Sequence, residues 1–167
     1  MANEKAVLIS IQPQWCAKIA SGQKTFEVRK TKPNIPTPFK CYIYCTKGNL
    51  ADPHQRLETH SQDGRIHLDN GRVFAEFVCD FIQPYWFSAD ASDIEETEDV
   101  HLACLSAEEI IQYGRGKQLE FWHISDLVIY NEPKPLSSFI VERYPCLASM
   151  KRPPQSWCYV EGTDNGK

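Results

Sequence analysis

Apolar and polar residues along the chain follow two rhythms. "AVLISI", residues 6–11, is a short apolar run with Val, Ile and Leu, which predicts a buried first strand. Pro13 follows where a helix can begin, because its missing N–H is one of the donors a helix start leaves unused. Trp15, Cys16, Ile19 and Ala20 then recur on one face of about two turns, and Ser21-Gly22 supplies the stop. The rhythm changes to alternation in "TFEVRK". Phe26 and Val28 fall on one side of the predicted strand, which faces the core, and Thr25, Glu27 and Arg29 fall on the other.

Further along, Pro33, Pro36 and Pro38 keep the chain extended before "FKCYIYCT", the next predicted strand. Asp63-Gly64 and Asn70-Gly71 are turn signals, the second being the stronger hairpin cue, and Arg72 to Ile82 reads as a central strand. Ser106-x-x-Glu109 is a capping box that opens a short helix ended at Gly114. "LEFWHISDLVIYN" returns to strand character, "SSFIVERY" reads as a helical turn, and "SWCYVE" as a last strand. These elements predict one α+β domain over 1–167, built on a small, mixed, strongly curved β-barrel of five or six strands with short peripheral helices. Residues 47–70 and 84–117 read as loop or excursion segments within it.

Composition narrows the function. The chain has 167 residues, 42% hydrophobic and 24% charged, with no run of the length that crosses a membrane and no secretory leader pattern, so a cytoplasmic location is expected. Seven cysteines without a C-x-x-C pair predict reduced thiols rather than a disulfide framework or a zinc site. His54, His60, His67 and His101 show no metal-ligand spacing, and neither metal nor cofactor is implied. The net charge is −4, yet from Lys18 to Lys47 there are seven basic residues against the single acid Glu27. From Tyr85 to Ile110 there are eight acids and no lysine or arginine. Such segregation suits either a phosphate-bearing partner or a solvated basic rim.

The densest chemistry lies at "SGQKTFEVRK", where Gly22, Lys24, Glu27 and Arg29 stand at the spacing G-x-K-x-x-E-x-R. Glu27 and Arg29 are about 7 Å apart along one strand face, and Lys24 enters from the turn. An arginine offers a planar fork to a phosphate or base edge, a lysine a point charge, and a glutamate orients both. The pattern fits a functional site or a surface charge cluster. Elsewhere, Glu76 is a lone carboxylate in an apolar strand, with Lys24 or Arg29 as plausible mates. Trp15 is a candidate for stacking on a base as well as for the core. Tyr113, Arg115 and Lys117 in "YGRGK" offer a phosphate contact without forming a P-loop.

The stretch "ISIQPQWCAKIASGQKTFEVRK" resembles the opening of an ASCH domain, a family related to PUA domains. Its G-x-K-x-x-E-x-R signature is matched by Gly22, Lys24, Glu27 and Arg29. "WHISDLVIY" and "PPQSWCYVE" are similar to runs of a bacterial and prophage branch of ASCH-like proteins. The resemblance implies a PUA-like barrel with the signature at the mouth of a cleft, and RNA, a nucleotide or a nucleoside as the partner. It implies Gly22, Lys24, Thr25, Glu27, Arg29 and Trp15 as the ligand-binding set. Some family members are amidohydrolases on acylated cytidine, and others have been assigned ribonuclease activity. In a hydrolase, Lys24, Glu27 and Glu76 would be the catalytic candidates. The amidohydrolases carry a threonine three residues after the lysine, where this chain has Glu27. Their later glutamate has five candidate counterparts, Glu95, Glu96, Glu98, Glu108 and Glu109. The oligomeric state is open.

Overall fold

The computed structural model describes residues 4–87, 97–143 and 146–163, with the side chains of 142 and 143 excluded. The strands are β1 (Lys5–Ile11), β2 (Phe26–Arg29), β3 (Phe39–Cys45), β4 (Glu58–His60), β5 (Ile66–Leu68), β6 (Val73–Cys79), β7 (Ile82–Tyr85), β8 (Leu119–His123), β9 (Ser125–Lys134), β10 (Ile140–Arg143), β11 (Cys146–Ser149) and β12 (Trp157–Glu161). Three short helices accompany them, α1 (Pro13–Ala20), α2 (Glu98–Leu102) and α3 (Ala107–Gly114).

The main sheet has five strands in the order β12-β1-β3-β6-β9, with β1 and β3 parallel and the other pairs antiparallel. Both of its faces are covered. Val7, Ile9 and Ile11 pack with Cys16 and Ile19 of α1 and with Trp122, whereas Ala6 and Leu8 pack on the opposite face with Tyr42, Phe139 and Met150. The continuous apolar run of β1 follows from this double burial.

A second sheet, β2-β8-β7, carries the α2–α3 layer on one face. Phe26 and Val28 join Val100, Ala103, Ile110 and Phe121 there.

The closed, strongly curved barrel of five or six strands is therefore overturned. Among the described residues twelve strands are distributed over four separate sheets, and the main sheet ends at β12 on one side and β9 on the other. Two local causes are visible. The segment after β2 holds Pro33, Pro36 and Pro38, which have no N–H with which to extend pairing from that strand's free edge. The long run "LEFWHISDLVIYN" breaks at Ile124, so that β8 serves the small sheet and β9 the large one.

Other elements differ in detail. Asp63-Gly64 turns the β4–β5 hairpin, but Asn70-Gly71 does not join paired strands. Instead the Asn70 amide donates to the Lys47 and Gln55 carbonyls and accepts from the Leu57 N–H, tying the excursion to the end of β3. The stretch read as a helical turn at "SSFIVERY" gives one 3-10 turn, Leu136–Ser138, followed by β10. The capping box at Ser106 and Glu109 is formed in both directions.

α3 runs through Gly114 and ends on Arg115, which takes the left-handed conformation at φ 49°. A Cβ at Gly114 would collide with the tip of the Phe87 ring, which would have to shift.

All seven cysteines stand unbridged, with Cys16, Cys41, Cys45 and Cys79 buried. Burial pushes the Cys16 and Cys41 thiols well up and Cys79 to about 12.

Three outcomes follow. Gly114→Ala should lower stability by about 1–3 kcal/mol in urea unfolding, and a midpoint unchanged from the parent would mean that the Phe87 contact is not tight. Iodoacetamide should label Cys146 first in the native protein and spare the four buried thiols until denaturant is added. Because burial raises the Cys16, Cys41 and Cys79 thiols, their neutral forms contribute stability below about pH 8.5, the unfolded value. That contribution declines as pH climbs through the folded values, so thermal midpoints should fall under alkaline conditions.

Candidate functional site

β2 is buried at every position, and its alternation directs side chains to two different interiors. With Phe26 and Val28 turned to the helices, Glu27 and Arg29 point toward the main sheet, where Glu27 lies across from Trp122 and Arg29 across from Glu120. Lys24 arrives from the turn after α1, where Gly22 adopts φ 79° and the Lys24 N–H bonds to the Lys18 carbonyl. The three charged residues Lys24, Glu27 and Arg29 are only 3%, 6% and 8% exposed, too little for a solvated cluster.

Glu27 bridges both cations. Its Oε2 lies 3.4 Å from Lys24 Nζ and its Oε1 2.9 Å from Arg29 Nη2. Each cation also donates outward. Lys24 Nζ donates to the Ala103 carbonyl at 2.7 Å, Arg29 Nη2 to the Ser10 carbonyl at 2.7 Å, and Arg29 Nη1 to Ser156 Oγ at 3.2 Å. Arg29 Nε is buried with no hydrogen-bond partner.

These residues form the floor of a cleft of about 1180 Å³, larger than two other cavities of about 580 and 280 Å³. Its walls come from four places: Gln12 and Trp15 beside and on α1, Tyr44, Thr46 and Lys47 around the end of β3, Glu109, Gln112 and Tyr113 of α3, and the segment 153–156. Lys24, Arg29, Lys30 and Lys47 supply the positive charge, against Glu27 and Glu109. The Glu109 carboxylate is engaged by the Ser106 N–H at 2.8 Å. Two rings in the walls already meet cations. Lys18 and Lys24 Nζ stand 4.8 and 5.5 Å from the Trp15 ring centre, and Lys30 Nζ stands 4.9 Å from that of Tyr113. Burial, more than the neighbouring charges, raises the Tyr113 hydroxyl above its ordinary value.

Trp15, Lys24, Glu27 and Arg29 thus share one cleft, whereas Gly22 and Thr25 do not line it. Gly22 shapes the turn, and Thr25 holds backbone bonds to Leu102 and Ile124.

Glu76 is elsewhere. It projects from the opposite face of the main sheet, salt-bridges Lys40 at 3.4 Å and accepts from the Tyr130 hydroxyl at 2.5 Å, so neither Lys24 nor Arg29 is its mate.

Of the five candidates for a later glutamate, Glu95 and Glu96 lie outside the described residues, Glu98 and Glu108 are exposed on helices, and Glu109 lines the cleft. His123 pairs with Asp80 at 2.7 Å and stacks on Phe81, away from the cleft, and of the "YGRGK" group only Tyr113 enters it.

Sequence reasoning missed Glu120, a 7% exposed carboxylate opposite Arg29 whose Oε2 has no hydrogen-bond partner. Its signal was the same as that of Glu76, one acid inside an apolar strand run. No group of three or more potential metal ligands is present among the described residues, and no helix among them is long and apolar enough to cross a membrane.

No family model matches the chain, and no curated protein matches it. Solved structures do. The crystal structure of ASCH from Zymomonas mobilis aligns with a TM-score of 0.55 at 18% identity, covering 92% of this chain and 86% of that one. The chain has an ASCH-type fold. A tyrosine-to-phenylalanine mutant of the same bacterial protein gives 0.55 and 18% over 93% and 90% of the two chains, and a serine-to-alanine mutant gives 0.55 and 18% over 95% and 90%. The likeness is one of architecture. In this ASCH-type fold the charged floor is set by the chain's own residues, at the seam between the two larger sheets.

Glu27→Gln should be strongly destabilising, by about 3–5 kcal/mol, since it leaves two buried cations without their counter-charge. A thermal midpoint within error of the parent would show that the carboxylate does not compensate them.

Proposed function

We propose that the protein is a binding module for RNA or a nucleotide, held in the cleft above Lys24, Glu27 and Arg29. The observation that carries this reading is the division of charge within the cleft. On the floor, Glu27 neutralises one cation's worth of charge and the main-chain carbonyls hold both cations in place, while Lys30 and Lys47 at the rim keep theirs for a ligand. A phosphate-bearing chain is the partner that such a rim attracts. Trp15 and Tyr113 offer rings against which a base can stack where it displaces the lysines over them.

Binding is favoured over hydrolysis by the setting of Lys24. Its ammonium has three donors, and one carbonyl and one carboxylate already engage it. Glu76, the other acid proposed for a hydrolase, stands behind the main sheet.

Fluorescence anisotropy with a short single-stranded RNA tests the reading. Lys30→Ala and Lys47→Ala should each weaken binding, and each should make the dependence of log affinity on log salt shallower by about 0.7. Unchanged affinity and slope in both variants would remove the cleft from RNA binding. Mass analysis of the recovered RNA should find it intact. A cleaved product that disappears in Lys24→Arg would instead make the protein a hydrolase, because that change keeps the charge and removes the amine.

A further inference from the structure

The charged cleft continues past the ends of β1 and β3. Gln12 and Thr46 line it and also line the cavity of about 580 Å³ beside it, whose other walls include Gln14, Asp52, His54 and Gln55. The two cavities meet along that shared edge.

The chemistry changes across it. The second cavity has no lysine or arginine in its walls. Asp52 and Gln55 are engaged locally, since Asp52 Oδ1 accepts from the His54 N–H at 3.0 Å, Asp52 Oδ2 from Gln55 Nε2 at 3.2 Å, and Gln55 Oε1 from the Asn49 N–H at 2.9 Å. Gln14 Nε2 donates to Gln12 Oε1 at 2.8 Å, which fixes the two amides side by side and leaves the Gln12 amide nitrogen and the Gln14 carbonyl open. The His54 ring is exposed and has no partner among the described residues. Paired amides and an imidazole suit a base edge or a sugar hydroxyl, whereas Asp52 disfavours a phosphate.

Size points the same way. The charged cleft alone, at about 1180 Å³, already exceeds the roughly 300–1,000 Å³ of pockets that enclose one small molecule. Together the two cavities pass the start of α1, with Gln14 lining one and Trp15 the other.

We propose that the cavity lined by Gln12, Gln14, Thr46 and His54 is a second subsite, which takes the neighbouring nucleoside of a ligand whose phosphate lies over the charged cleft. The ligand is then a single strand of two or more nucleotides that crosses the shared edge at Gln12 and Thr46. The inference rests on the charged cleft being a nucleotide site.

The test compares calorimetric affinities for adenosine, cytidine and uridine monophosphates with those for RNA dinucleotides of the same bases carrying a terminal phosphate. The parent should bind at least one dinucleotide about tenfold more tightly than its monophosphate, equivalent to about 1.4 kcal/mol. A double variant, Gln14→Ala with His54→Ala, should lose that advantage and keep its monophosphate affinity, because neither residue lines the charged cleft. Equal binding of monophosphates and dinucleotides by the parent, or an advantage that survives the double variant, overturns the subsite and leaves the charged cleft standing. Absence of binding to every probe overturns the reading of the charged cleft, and the subsite falls with it.

Discussion

Withdrawing two cations and a carboxylate from water costs several kcal/mol per ion, and the rest of this structure is arranged so that the cost is met. Glu27 lies between Lys24 and Arg29, and Lys24 Nζ, Arg29 Nη1 and Arg29 Nη2 also donate to a carbonyl or hydroxyl on other elements. Lys24 reaches Ala103 at the end of α2, while Arg29 reaches Ser10 of β1 and Ser156 ahead of β12. The triad is therefore a joint. It links the small sheet, the helical layer and the main sheet, although β2 exchanges no strand pairing with β1 or β12. Apolar residues of similar volume often hold such a joint as well or better, so stability alone does not explain the charge. Apolar replacements would give the cleft a neutral floor.

The joint depends on register. β2 is four residues long, and its alternation sends Phe26 and Val28 into the helical core and Glu27 and Arg29 to the seam. A slip of one residue would exchange the two sets, placing charges among Val100, Ile110 and Phe121. Burial of both faces pins the strand against that slip, and so does its pairing from Phe26↔His123 to Arg29↔Glu120. The backbone bonds from Thr25 N–H to Leu102 and from Ile124 N–H to Thr25 fix the point where β2 begins.

What could be read in the sequence was what neighbours along the chain decide. The buried run of β1, the proline at the start of α1, the turn at Gly22, the alternation of β2 and the Ser106 capping box are each set within a few residues, and the structure has them there. What could not be read depends on partners distant in sequence. Nothing local in "LEFWHISDLVIYN" says that the strands on either side of Ile124 join different sheets, and nothing in Asn70-Gly71 says that the Asn70 amide is taken by Lys47, Gln55 and Leu57. Closure into a barrel is a property of sheet edges, and it failed for that reason. Glu76 and Glu120 carry the same local signal, an acid in an apolar strand. One pairs with Lys40 on the far face and the other sits opposite Arg29 at the seam. Only the pairing of β6 with β3 and of β8 with β2 separates them.

An acidic chain with a basic cleft needs its positive charge held where the acids do not cancel it. The acids nearest the cleft are already committed, Glu27 to the two cations and Glu109 to the Ser106 N–H. Committed carboxylates still carry charge, but their closest partners are fixed, and the field at the rim is set mainly by Lys30 and Lys47. Floor and rim then differ in kind. The rim cations sit near water, where salt screens them over about 8–10 Å, so the field they project weakens as ionic strength rises. The floor cations are shielded from salt and locked by carbonyls, so their places do not depend on it. Locked cations below and screened charges above give a cleft whose floor is independent of ionic strength while the potential at its rim is not.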